Sequence, residues 1–196
     1  LFTNAHCISP LCGPSRTAVF TGLRPHQTGI YDNNVWFREV ERLRDIPTLP
    51  RSLAAGGYKT VGIGKLFHTS AGDGMPKSEF QHTAKRGWAN YGPFPDKPFN
   101  YHDKVFRLRD WAAWPPTDGE NADHVIANRA ISFLKEKREP PFFLAVGFFR
   151  PHAPFYASPK WHALHPRDTL KLPPVKAGDL EDVPPPGRAI MTRSFD

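Results

Sequence analysis

An uninterrupted apolar run at 142–149 restricts the fold of this chain more than any other feature. Such a run is typical of a strand that is buried on both faces of a sheet. It follows the strongest helix pattern of the chain, at 121–137, whose apolar residues share one face and which Pro140-Pro141 stops. The pair predicts a helix that packs on the sheet to which the strand belongs.

The same order of helix and strand occurs earlier. Residues 48–55 have the pattern of a short helix closed by Gly56-Gly57, and 58–64 have that of a buried strand. This repetition predicts an α/β fold with a largely parallel sheet flanked by helices. Residues 69–118 show no such pattern, and a loop of this length indicates a functional segment, such as one that shapes a substrate pocket.

Length and composition narrow the class of protein. The 196 residues suffice for one domain with a core, which we expect to extend over 1–196 and to be incomplete at both ends. No apolar run approaches the roughly 20 residues that cross a bilayer. The net charge of +7 suits an anionic partner. Because the basic residues are scattered and no nucleic-acid-binding motif occurs, we expect neither a nucleic acid nor a membrane as partner.

Two strand ends carry the same pair of residue types. Lys65 and His68 follow the first predicted strand, and Arg150 and His152 follow the second. Ligands of parallel sheets bind beyond the carboxyl ends of the strands. These ends therefore predict a site that combines cations with imidazoles.

Cys12 lies ahead of a third short helix pattern, which Pro14-Ser15 starts and Gly22 ends. Backbone N–H groups and the helix dipole favour an anion at such a position. Arg16, one turn into the helix, is able to reach back to it. A thiol there would itself be reactive, so a plain cysteine nucleophile is a competing chemistry.

The segment around Cys12 resembles the signature C-x-P-S-R-x-x-x-(L/F)-T-G of formylglycine-dependent sulfatases. The match holds at every specified position of the segment Cys12-Gly13-Pro14-Ser15-Arg16-Thr17-Ala18-Val19-Phe20-Thr21-Gly22. Further similar segments lie at 2–5, 24–25, 56–58, 64–68, 142–147 and 151–155. The spacing Lys65-x-x-His68 is similar to that of iduronate-2-sulfatase-like members, and the fold implied is the alkaline-phosphatase-like one.

The resemblance assigns a role to each candidate residue. Cys12 would be oxidised to formylglycine, whose hydrate attacks the sulfate ester, and a second hydroxyl then expels sulfate. Arg16 would stabilise the hydrate, and Lys65 would neutralise a sulfate oxygen. His68 would be the base that removes the second proton. His152 would bind sulfate or help the leaving alcohol depart.

A calcium ion is also implied by the resemblance. The family binds it through an aspartate pair on the first strand, which we expect ahead of Leu1, and an Asp-Asn or Asp-His pair on a later strand, which we expect beyond Asp196. Only the group derived from Cys12 remains as a ligand, whereas calcium takes six or more oxygens. We therefore expect the other ligands outside this sequence and no activity from the 196 residues alone.

Two alternative functions share these features. Phosphonate monoester and phosphodiester hydrolases carry the same signature, and the second alternative is a degenerate domain that binds sulfated glycans without cleaving them. The resemblance favours a sulfuric ester hydrolase that acts on a sulfated sugar or similar ester, as in polysaccharide degradation. It implies a formylglycine-generating enzyme as maturation partner and a periplasmic, extracellular or lysosomal location.

Overall fold

A computed structural model of the chain describes residues 2–68, 78–83, 93–100, 110–137, 139 and 141–192, the last three of these by their backbone alone. They form two compact units, Leu1–His162 and Ala163–Asp196. The α-helices are α1 (Cys12–Thr21), α2 (Pro25–Thr28), α3 (Leu49–Ala55), α4 (Ala122–Lys135), α5 (Pro159–Ala163) and α6 (Pro185–Thr192). The strands are β1 (Lys59–Gly64), β2 (His82–Thr83), β3 (Trp111–Ala113), β4 (Phe142–Gly147) and β5 (Phe155–Ala157).

The larger sheet has the order β2-β1-β4, and both of its strand pairs are parallel. β1 and β4 pair in register from Lys59 opposite Phe142 to Gly64 opposite Gly147. Strands β3 and β5 form a second parallel pair. The predicted parallel α/β fold is therefore confirmed.

The helix before β4 packs on β1 as its apolar face predicts. Ile126 and Ala130 of α4 are buried against Val61 and Ile63 of β1. The side chain of Asn121 caps the helix by accepting the N–H of Asp123 at 3.0 Å. The helix ends at Lys135, ahead of the prolines that were expected to stop it.

The prediction that the second strand is buried on both sides was wrong for the described residues. β4 spans only 142–147, and most of its residues are half-buried. Phe142 is 40% exposed, and Phe148, just after the strand, is 49% exposed. β4 is more exposed because it lies at the end of the described strand order, whereas β1 is central and buried from Thr60 to Gly64.

An aromatic cluster joins α1 to the segment that follows β1. The ring centroid of Phe67 lies 4.4 Å from that of Phe20 in α1 and 5.8 Å from that of Phe37. Burying a side chain of this size contributes about 2–3 kcal/mol. The cluster therefore fixes residues 65–68 against the helix that carries Cys12.

A buried ion pair holds the loop between α2 and α3. The Arg38 guanidinium donates to both carboxylate oxygens of Glu79, at 2.7 and 2.8 Å, and Thr48 donates to Glu79 at 2.6 Å. Burial acts to raise the pKa of Glu79, but the hydrogen bonds from Arg38 and Thr48 outweigh it and hold the pKa below its usual range. The loop is thereby fixed to the segment that precedes β2.

Of the segment 69–118, which was expected to be irregular, the described parts are 78–83, 93–100 and 110–118, and they include β2 and β3. Residues 69–77, 84–92 and 101–109 lie outside the described residues, so the proposal that this segment shapes a pocket stays a prediction. So does the single domain over 1–196.

In the smaller unit, α6 follows a largely exposed stretch in which Leu172 and Val175 are each 90% exposed. Within the described part of the chain, no helix is both long enough and apolar enough to cross a membrane.

Candidate active site

Helix α1 places Cys12 in its first turn. The helix begins at Cys12, two residues earlier than the sequence predicts, and ends at Gly22, whose left-handed φ of 73° matches the predicted stop. Its N-cap residue, Leu11, provides no side-chain cap. The Cys12 side chain is half-buried and carries a free thiol.

Asn33 is a residue of the site that the sequence did not indicate. Its side-chain oxygen accepts the N–H of Gly13 at 2.6 Å and so fixes the amide beside Cys12. A side chain at Gly13 would lie 2.8 Å from the carbonyl oxygen of Asp32, so the close approach requires glycine. The polar run at 32–34 indicates a turn, but nothing local shows that it meets a helix 20 residues earlier.

Arg16 connects α1 to the end of β1. Its Nη1 donates to the carbonyl oxygen of Lys65 at 2.6 Å. The contact places the Arg16 guanidinium, which lies one turn beyond Cys12, against Lys65. Lys65 was predicted to belong to the site because it follows the end of a strand. The sequence predicted that Arg16 would reach towards Cys12 but not this main-chain partner.

The ends of β1 and β4 lie very close together at Lys65. The Lys65 N–H donates to the carbonyl oxygen of Gly147 at 2.8 Å. A side chain at Gly147 would overlap the Lys65 carbonyl oxygen, and one at Gly64, whose φ is 81°, would overlap the Gly147 carbonyl oxygen. Lys65 itself is 4% exposed, with its Nζ 5.4 Å from the centroid of the Phe149 ring. The two strand ends are therefore adjacent.

His68 lies near three of the other candidate residues, Lys65, Arg16 and His152. Burial lowers its pKa most, and the charges of Lys65, Arg16 and His152 lower it further. These groups are thus near enough to act on one imidazole. Because the pKa falls below the ordinary 6.5, the ring is neutral at neutral pH and is able to accept a proton.

The loop after β4 presents His152. Its backbone N–H donates to Phe149 at 2.9 Å, and its ring Nδ1 lies 2.6 Å from the carbonyl oxygen of Ala153. Since a carbonyl oxygen only accepts, Nδ1 carries a proton in this contact. In the neutral ring, Nε2 then carries no proton.

The donor set for calcium is not met within the described residues. They contain no group of three or more His, Cys, Asp or Glu side chains placed to hold a metal ion. Calcium takes six to eight oxygen ligands.

Comparison with known proteins identifies the family. A sequence model of the sulfatase family matches residues 1–171, which include the signature around Cys12 and all five candidate residues. The chain belongs to the sulfatase family. This sulfatase chain is 41% identical to a sulfatase of Formosa agariphila over 96% of its own length and 39% of that protein.

Human iduronate 2-sulfatase is a second relative, 30% identical over 89% of this sulfatase chain and 32% of the human protein. The predicted resemblance to iduronate-2-sulfatase-like members is confirmed. The chain spans less than two fifths of the length of either relative.

A solved structure supports the fold. The phosphonate monoester hydrolase SpPMH from Silicibacter pomeroyi matches 89% of this sulfatase chain and 39% of its own chain, with a TM-score of 0.61 and 17% identity. At this identity the likeness shows the fold alone. Together with the match to the sulfatase family, it confirms the predicted sulfatase-like α/β fold.

Proposed function

We propose that the protein hydrolyses sulfate esters, with Cys12 converted to formylglycine and with Arg16, Lys65, His68 and His152 acting around it. The observation that carries the proposal is the hydrogen bond from Arg16 to the carbonyl oxygen of Lys65. It connects the helix of the sulfatase signature to the strand end that carries a cation and an imidazole. Family membership supports sulfate as the group removed.

Formylglycine, when present at position 12, supplies a hydrated aldehyde with one nucleophilic hydroxyl and a second that allows sulfate to be expelled. The position suits it, because the side chain is half-buried at the start of α1 and the neighbouring amide of Gly13 is held by Asn33. The cation of Arg16, one turn away, favours an anionic oxygen there.

Lys65 binds a sulfate oxygen in this proposal. Its side chain is almost fully buried, so a sulfate that reaches it is held where the effective dielectric is low and charge attraction is strong. The Phe149 ring and the Gly147 hydrogen bond keep the side chain and the backbone in place. Lys65 therefore binds charge without needing to rearrange.

His68 and His152 divide the proton transfers. His68 is neutral at neutral pH, which suits the base that takes the proton from the second hydroxyl. When its ring carries a proton on both nitrogens, His152 binds sulfate or gives a proton to the leaving alcohol from Nε2. A base and an acid with different surroundings are what a two-step ester hydrolysis requires.

Mass spectrometry tests the first part of the proposal. The protein is produced from its complete gene with a formylglycine-generating enzyme, and the peptide that carries Cys12 is examined. We expect a loss of about 18 Da at Cys12, the change from thiol to aldehyde for an activated nucleophile of this class. Cys7 in the same peptide is the internal control and should remain a thiol. An unmodified Cys12 in active protein would instead indicate the plain cysteine nucleophile.

Activity on matched sulfate and phosphate esters tests the second part. Sulfate turnover should disappear with Cys12→Ala and fall at least 100-fold with Lys65→Ala, since one such electrostatic contact is worth about 10²–10³ in rate. Faster turnover of the phosphate or phosphonate ester would favour the alternative hydrolase. Binding of a sulfated saccharide without turnover would favour the non-catalytic module.

Similarity to the relatives is the basis on which we propose a substrate, a cofactor and a location for the protein. Similarity to iduronate 2-sulfatase points to a sulfated saccharide. Calcium would be held by ligands outside 1–196, together with the group at Cys12. A periplasmic, extracellular or lysosomal location fits such a substrate.

A further inference from the structure

We propose that Asp123 and Arg150 are positioning residues that fix the loop carrying His152. The inference rests on the proposed function, because it takes His152 as the group that acts on the substrate. Neither residue belongs to the sulfatase signature around Cys12. Both lie at the carboxyl end of β4, where α4 begins.

Asp123 holds the start of the loop through two main-chain contacts. One carboxylate oxygen accepts the N–H of Phe149 at 2.8 Å, and the other accepts the N–H of Arg150 at 2.9 Å. Hydrogen bonds to an ionised acceptor are about twice as strong as neutral ones. Asp123 is itself fixed, because its own N–H donates to the side chain of Asn121.

A helix-capping role does not account for these contacts. The side chain of Asn121 already caps α4, and the Asp123 oxygens accept from residues 26 and 27 positions further along the chain. An acidic residue that served only the helix dipole would have no need of these partners. The carboxylate therefore acts on the loop.

Arg150 holds the rest of the loop. Its Nε donates to the carbonyl oxygen of Tyr156 and its Nη1 to that of His152, both at 3.1 Å. Burial lowers the pKa of Arg150 most, while the charge of Asp123 acts to raise it, and the guanidinium remains a cation.

Tyr156 is anchored in turn, since it is buried and its hydroxyl donates to Asp110 at 2.6 Å. The loop is thus held at Asp123 on one side and at Tyr156 on the other, with His152 between them. The His152 backbone is fixed at its carbonyl and at its N–H, and its ring Nδ1 contacts the Ala153 carbonyl oxygen, so this frame sets the direction of the ring. A shift of about 1 Å in a reacting group is able to cost about 100-fold in rate.

A double-mutant cycle in the complete, matured protein tests the proposal. Asp123→Asn keeps the shape of the side chain but turns one acceptor into a donor that faces a backbone N–H. We expect kcat on an aryl sulfate to fall roughly 10-fold to 100-fold. In a His152→Ala background, Asp123→Asn should cause little further loss, because the residue that it positions is gone. Asp168→Asn, at an exposed position, is the matched control and should leave kcat unchanged.

The possible outcomes distinguish a failure of the positioning role from a failure of the proposed function. A purely structural role would lower kcat by the same factor with or without His152, and such additive losses would overturn the positioning role. Lack of turnover by the unsubstituted protein, or full activity of His152→Ala, would contradict the proposed function and this role of His152. If Asp123→Asn does not fold, Arg150→Lys, which keeps the charge but loses the guanidinium fork, should show the same dependence on His152.

Discussion

Replacing Gly147 by alanine should force apart the two strand ends that carry the candidate site. Gly147 does not have a left-handed backbone, so the effect of a side chain there is spatial. The added Cβ would overlap the Lys65 carbonyl oxygen and lie 2.5 Å from the Lys65 carbonyl carbon. Both are backbone atoms, which have no alternative rotamer.

The cost follows from these contacts. Two carbon atoms normally approach to about 3.5 Å, so the Lys65 backbone must move by roughly 1 Å. That movement strains the hydrogen bond from Arg16 to the Lys65 carbonyl oxygen and the one from the Lys65 N–H to Gly147. Overpacking costs about 1–3 kcal/mol. Loss of the hydrogen bond from the charged Arg16 costs about 1.5–3 kcal/mol, and loss of the neutral hydrogen bond from the Lys65 N–H costs about 1 kcal/mol. If both bonds are lost, the free energy of unfolding should fall by about 3.5–7 kcal/mol.

Thermal unfolding of the complete protein measures this loss. At about 2–4 °C for each kcal/mol in a domain of this size, Gly147→Ala should lower Tm by roughly 7–28 °C. Gly56→Ala is the matched control, because its φ is −81° and its Cβ would lie in ordinary contact, 3.4 Å from the Leu53 carbonyl oxygen. Its Tm should change by no more than a few degrees. Hydrogen exchange at residues 59–68 should rise in Gly147→Ala alone.

The close approach of the two strand ends is what this experiment puts at risk. If Gly147→Ala and Gly56→Ala unfold at the same temperature with equal exchange at 59–68, there is room between Lys65 and Gly147. The paired strand ends would then not hold Lys65 rigidly.

Three further substitutions test the charged groups. Burial acts to raise the pKa of Asp110, but the hydrogen bonds that it accepts bring the pKa down from 3.8 to about 2. A carboxyl whose pKa is lower in the native state than in the unfolded state stabilises the fold above its unfolded pKa. The stability that Asp110 contributes should therefore be lost as pH falls from about 4 to about 2. Asp110→Asn should flatten the dependence of Tm on pH in that range. Glu79→Gln leaves the Arg38 guanidinium without its counter-charge and should cost about 3–5 kcal/mol in denaturant unfolding, whereas the apolar pair Arg38→Met with Glu79→Leu should recover part of it. The lowered pKa of His68 makes protonation favour the unfolded state, so stability should decrease as pH falls below the ordinary 6.5, and His68→Gln should remove that decrease in a series of Tm values.

The pattern of the sequence predicted the elements well where local chemistry decides them. Gly22 ends α1, Gly56 ends α3, and Asn121 caps α4, each within a residue or two of expectation. The parallel pairing of β1 with β4 followed from the alternation of helix and strand. The burial of β4 was overestimated, because an apolar run indicates the residue types of a strand but does not determine which neighbouring elements cover it.

The candidate site was predictable in its reactive side chains and not in their supports. Lys65 and His68 stood out because they follow a strand end, and Arg16 because it belongs to the signature. Asn33 and Asp123 gave no signal, since each meets a backbone amide 20 or more residues away. A polar residue in a loop or a first helical turn has ordinary local reasons to be there.

These supports share a physical form that explains why they escape a sequence pattern. Asn33 accepts a main-chain N–H beside Cys12, and Asp123 accepts two main-chain N–H groups. A backbone amide is the same whatever its residue, so the partner places no demand on the side chain at that position. A signature motif therefore contains the groups that react, whereas the residues that position these groups are identified only from the fold. It follows that a chain is able to keep Cys12 and its signature intact and still lose a working site through a change at Asn33 or Asp123.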